Sequence, residues 1–309
     1  MKKLMFFAMA AMVALASCSK TELVDNSAPA PIGFKAVTGS ITKAVQTSNS
    51  FTQDLGVIAY KSGETGENGI YFNNTQFTGN ITDGYKNNDK FWPITSALDF
   101  FVYSPYQGSN VSNLVTSTSE QSLEVTIGDN TPTNTNGVYE QTDYLYSDVY
   151  ITNKSKANSS QNGVSVNLKH ALSMITVEFD NTGDGVFNSA VLNGTYQAGK
   201  YTVSYTQNGS NIEWSSQSTQ ADLQLMANDQ VVNNATYMVV PSDATSITVT
   251  YTMNGSDGSP ISYNVDLTSY KWEPGTHHTY ILKIEGALIK FIPNVTDWDI
   301  ENANSETIN

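Results

Sequence analysis

From residue 32 to residue 292 the apolar residues come in short runs parted by turn residues, and no stretch sustains a helical period. The fold class this predicts is all-β. Composition agrees: charged residues make up only 14% of the chain, and Ser, Thr, Asn, Gln, Gly and Tyr fill the remaining polar positions among β-branched and aromatic residues. The clearest runs are 32–37, 55–60, 70–72, 97–106, 123–127 and 144–151, followed by 164–179, 201–205, 237–240, 247–253, 261–267, 279–284 and 288–292.

The polar segment 154–163 is the expected domain boundary, giving units 32–160 and 161–309, each with enough short strands for a β-sandwich. Beyond it, Val164, Val166, Leu168, His170, Leu172 and Met174 share one face, and the apolar phase then flips to Ile175, Val177 and Phe179. A period of two cannot flip inside a regular strand, so a bulge or a sheet-to-sheet crossover is expected near Met174.

The N-terminus has its own grammar. Met1-Lys2-Lys3 precedes an apolar run to Ala16, which ends in Leu15-Ala16-Ser17-Cys18. This is the layout of a signal peptide over 1–17, too short to span a bilayer. Leu-Ala-Ser-Cys resembles the lipobox of bacterial lipoproteins, which implies that Cys18 is acylated and holds the chain to a lipid bilayer. Cys18 is the sole cysteine, so no disulfide is available, and residues 18–31, with Pro29 and Pro31, read as a flexible tether.

The chain carries 15 Lys, no Arg, and 29 Asp+Glu; without residues 1–17 the formal charge is −16. An acidic, Arg-free surface repels nucleic acid and sets that partner aside.

Motifs for catalysis are weak. Gly194 to Tyr201 fits G-x-x-x-x-G-K, but Tyr201 replaces the hydroxyl residue that would hold Mg²⁺, and an alternating segment follows it, so a turn between strands is expected. Asp180 to Gly185 resembles a calcium loop but has Val191 where the bidentate Glu belongs, and reads as a tight connection. His170 falls on the apolar face and reads as a core histidine; His277 and His278 are adjacent and would point to opposite sides of a strand. No hydrolytic motif appears, and nothing singles out a catalytic residue, a metal or a cofactor. Phe91-Trp92 and the aromatics of 103–106 could stack on sugars, yet core positions suit them better.

Several segments together resemble the fimbrillins of Bacteroidales, the type V pilins with their tip and anchor relatives. They are the lipobox, Ile32-Gly33-Phe34, Phe91-Trp92-Pro93, Leu98-Asp99-Phe100-Phe101-Val102-Tyr103-Ser104-Pro105, Lys169-His170-Ala171-Leu172-Ser173, Tyr237-Met238-Val239-Val240-Pro241, Trp272-Glu273-Pro274-Gly275 and Val295-Thr296-Asp297-Trp298. The resemblance implies two transthyretin-like Greek-key β-sandwich domains, export to the outer membrane as a lipoprotein, and incorporation into a surface fimbria. It also implies proteolytic removal of the first strand, here by a cut between Lys43 and Ala44, and polymerisation with other fimbrial subunits by donor-strand exchange. Many relatives carry Arg where this chain has Lys43. The expected donor is 288–300, where Ile289, Phe291 and Val295 share a face and Trp298 and Ile300 extend it after a phase change; the alternative is that this is the last strand of its own domain. The other function left open is a non-polymerising surface lipoprotein that binds a glycan or host protein. An enzyme is not expected.

Overall fold

The computed structural model describes residues 30–38, 53–64, 66–116, 121–135, 138–155, 163–206, 209–255 and 257–298. Cys18, Lys43, Ala44 and Ile300 lie outside them. The described chain is all-β, with three short 3₁₀ turns as its helical content.

The N-terminal part is built around one sheet that closes on itself. Its order runs Leu145–Ser147, Val164–His170, Pro31–Thr38, Gly84–Phe91, Ile70–Asn80, Leu55–Lys61 and Leu98–Ser104. Leu145 then pairs with both His170 and Ser104 and completes the ring. Inside it lies a core that includes Ile32, Phe34, Val57, Phe77, Tyr85, Phe100 and Val166. Closure protects strands that would otherwise present open edges.

Two ring strands are buried on both faces, which is why they read as nearly continuous apolar runs. Leu98, Phe100 and Val102 face the ring interior, whereas Phe101 and Tyr103 face a second core outside it, and Leu55–Lys61 divides its side chains the same way. That outer core is covered by Gln121–Ile127 and the distal half of a long hairpin, Gly185–Thr206 with Gly209–Ala227.

The same hairpin reaches into the C-terminal part. Its proximal half joins Ser246–Met253 and Ile261–Asp266 in a sheet. Across a third core lies a four-stranded sheet ordered Thr236–Val239, Ser173–Asp180, Thr276–Glu285, Leu288–Asp297.

The crossover expected near Met174 occurs at Ala171-Leu172: Val164–His170 belongs to the ring and Ser173–Asp180 to the four-stranded sheet. The sheets do not part at 160/161, because Val164–His170 pairs with Pro31–Thr38 and the hairpin spans both parts. The sequence reading of Gly194–Tyr201 as a turn is also corrected. These residues lie within the 22-residue strand Gly185–Thr206, and 201–205 is that strand's end rather than a separate one. Gly194, at φ 66°, sits where the register shifts between Leu192 and Thr195; its glycine serves a β-bulge, not a chain reversal. Lys200 instead pairs with Glu124 of the neighbouring strand at 2.5 Å.

Candidate assembly interface

Pro31–Thr38 is the first described strand and an interior member of the ring. It runs parallel to Val164–His170, from Phe34↔Val164 to Thr38↔Leu168, and antiparallel to Gly84–Phe91, with Phe34 opposite Tyr85. Alternation places Ile32, Phe34 and Ala36 inward, all buried. Phe34 meets Phe77 and Phe100 edge-on at centroid distances of 5.0 and 5.1 Å. Burying one such side chain contributes ~1.5–3 kcal/mol, and each edge-to-face pair adds ~0.5–1.5 kcal/mol. The entry to the slot is tight: a Cβ on Gly163 (φ 101°) would come within 2.5 Å of the Gly33 carbonyl oxygen.

This strand is joined to the rest of the ring by covalent chain only at its C-terminal end, through 39–54. Removing it would bare the facing edges of Val164–His170 and Gly84–Phe91 and open the ring core between them. Tyr85 would line that gap; burial holds its phenol well above the usual range.

The C-terminal strand Leu288–Asp297 is an edge strand, paired antiparallel along its whole length with Thr276–Glu285. Ile289 is buried and Phe291 packs on Tyr270 and Tyr280 at 5.7 and 5.3 Å. Val295 lies on the same face by register but is 49% exposed. Leu288 and Ile292 are exposed as well. Trp298 then turns into the core between the two parts, its ring stacked flat on His170 at 3.8 Å and 7°, while its backbone N–H donates to the Gly275 carbonyl at 2.7 Å. His170 in turn contacts Asp143 at 2.9 Å. In this subunit, then, the four candidate donor residues belong to the protein's own sheet and core, the arrangement of the alternative reading.

The two other histidines separate as a strand requires. His278 is buried near Tyr280, and desolvation pulls it down to about 4. His277, on the opposite face, contacts Thr176 Oγ1 at 2.9 Å.

Sequence reasoning did not find the slot's walls. The alternation of 164–170 was visible, but its parallel neighbour lies some 130 residues earlier, and no local pattern joins them.

The all-β chain matches a known family. Residues 42–298 match the fimbrillin-like family, and the chain belongs to it. Two solved structures show the same fold, and a third is similar. One from Bacteroides uniformis, provisionally assigned as a cell adhesion protein, is 17% identical, with 87% of this chain and 99% of that one covered at a TM-score of 0.52. Another from Bacteroides ovatus, assigned in the same way, is 15% identical over 89% and 100% of the two chains at 0.53. A fimbrial protein from Bacteroides vulgatus is 16% identical over 87% and 99%, at 0.49. No curated protein matches the sequence. The family is described as fimbrillin-like, a class of fimbrial subunits.

Proposed function

We propose that this chain is a fimbrial subunit exported as a lipoprotein on Cys18, cut between Lys43 and Ala44, and assembled by donor-strand exchange with other subunits. The observation that carries the reading is the place of Pro31–Thr38: apolar on its inner face, interior to a closed sheet, and N-terminal to every other described strand. A cut at Lys43 severs it completely and leaves the remainder with an unfilled slot. An extended strand from another subunit satisfies both bared edges and refills the core, which is the physics of β-augmentation.

The fold is read as two transthyretin-like β-sandwich units, coupled by the long hairpin. The donor is the segment holding Ile289, Phe291, Val295 and Trp298, released from its own edge. Its release exposes Ile289, Phe291 and Trp298, so donation requires that they regain equal burial in the acceptor slot. N-terminal sequencing of surface-assembled protein tests the processing step. A start at Ala44 supports the reading, and an intact start at Cys18 in filament material overturns it.

A further inference from the structure

A second feature, distant in character from the strand slot, lies where the long hairpin passes the short strand pair Ser242–Asp243 and Lys271–Trp272. These two segments are held in register by Ser242↔Trp272 and Asp243↔Lys271. With Trp214 and Gln217 of the hairpin on one side, they frame an open cleft of about 740 Å³, a volume within the range of small-molecule and oligosaccharide sites.

We propose that this cleft binds a neutral carbohydrate. Three independent properties point there. The first is an unused hydroxyl: Ser242 is only 7% exposed, lines the cleft, and its Oγ has no hydrogen-bond partner among the described residues. A dry, unpaired hydroxyl is unfavourable, and a χ1 rotation that turns it toward the cleft lets a ligand hydroxyl relieve it.

The second is a fixed apolar wall. Trp214 is partly exposed, yet its ring is anchored by Nε1–H donating to the Ala171 carbonyl at 3.1 Å and by Tyr201 at a centroid distance of 5.1 Å. Pro274 offers a further apolar surface across the cleft. A pre-placed ring loses no rotamer freedom when the C–H face of a sugar lies on it. Gln217 bridges the two sides, its Nε2 donating to the Pro241 carbonyl at 2.5 Å.

The third is the rim. Asp243 and Glu273 are exposed acceptors beside Glu213, and Lys271 supplies the one cation among the lining residues. Three carboxylates against one ammonium repel uronates, sialates and phosphates. They accept hydrogen bonds from neutral polyol hydroxyls, which offer donors in abundance. The polar rim disfavours an apolar peptide strand. Sugar binding at this cleft does not depend on strand exchange.

The test is calorimetric titration of the full chain with neutral trisaccharides of glucose, mannose, galactose and xylose, and with trigalacturonic acid as the anionic counterpart. The expected result is saturable binding of at least one neutral trisaccharide and at least tenfold weaker binding of the anion. Asp243→Ala, at an exposed position, should lower the affinity tenfold or more with the melting temperature unchanged. Ser242→Ala should weaken binding without loss of fold. Absence of saturable binding by every neutral trisaccharide, equal or tighter binding of trigalacturonic acid, or affinity unaltered in both variants would overturn the proposal. Assembly of Asp243→Ala into filaments is measured in parallel, so that loss of sugar binding and loss of the fimbrial reading are told apart.

Discussion

Gln141 pairs with Met238 as a strand residue would: its Nε2 donates to the Met238 carbonyl at 2.7 Å and its Oε1 accepts from the Met238 N–H at 2.8 Å. The amide is buried, and it also reaches the Asn130 carbonyl at 2.9 Å. Gln141→Leu keeps the volume but leaves those backbone groups unpaired, at ~1–3 kcal/mol each. Urea denaturation should therefore show a lower midpoint with an unchanged slope. His278 carries a pH signature. In the unfolded chain it takes up a proton near 6.5, whereas in the fold burial delays this to about 4. The unfolded state therefore binds more protons across that window, so stability is lost as pH falls from 6.5 toward 4. His277 is shifted down by burial too and acts in the same direction. The carboxylates held below their usual range, such as Asp180 and Asp266, were lowered from 3.8 and add their losses only at more acidic pH. Melting temperature followed from pH 7 to 4 should fall, and the fall should be shallower in His278→Asn.

At the scale of the element, the last strand separates two accounts of assembly. Phe291 sits against Tyr270 and Tyr280 within its own sandwich, and Trp298 locks the strand's end onto His170. Trp298→Ala should destabilise the monomer by ~3–5 kcal/mol, the usual range for deleting a large buried aromatic, read by chemical denaturation. Phe291→Asp places a carboxylate at the edge of that core. If the strand is donated and re-formed, the uncleaved variant remains a folded monomer that fails to polymerise after cleavage. If the strand is indispensable to its own domain, thermal melting shows no folded monomer at all.

Much at this level was legible beforehand. Short apolar runs located 32–37 and 55–60 and alternation located 164–170, and the phase flip after Met174 marked a crossover that falls at Ala171-Leu172, because a side-chain period of two is set by the backbone itself. Two things were not legible. The bulges at Gly194 and after Lys200 break alternation inside one long strand, so its middle read as a turn. Which strands neighbour one another is decided by non-local burial, and neither Pro31–Thr38 beside Val164–His170 nor Trp298 on His170 leaves a trace in local sequence.

The whole molecule is tied together across its length. The hairpin Gly185–Thr206 with Gly209–Ala227 contributes to the C-terminal core at one end and covers the ring at the other, and the core between them draws on both parts. Shared burial of this kind couples the two parts, so unfolding should be a single transition with calorimetric and van't Hoff enthalpies in agreement. The N-terminal strand is the exception in kind: it is central in the sheet but peripheral in the chain, and it can be removed by one peptide-bond cut. The most direct measurement replaces Lys43-Ala44 with a specific protease site, cleaves the folded protein, and adds a synthetic peptide of residues 31–38. The account predicts that cleaved protein polymerises once its strand is lost, that the peptide caps the slot and blocks polymerisation, and that a peptide carrying Phe34→Asp does neither. Cleaved protein that loses residues 31–38, stays a folded monomer and ignores the native peptide would contradict it.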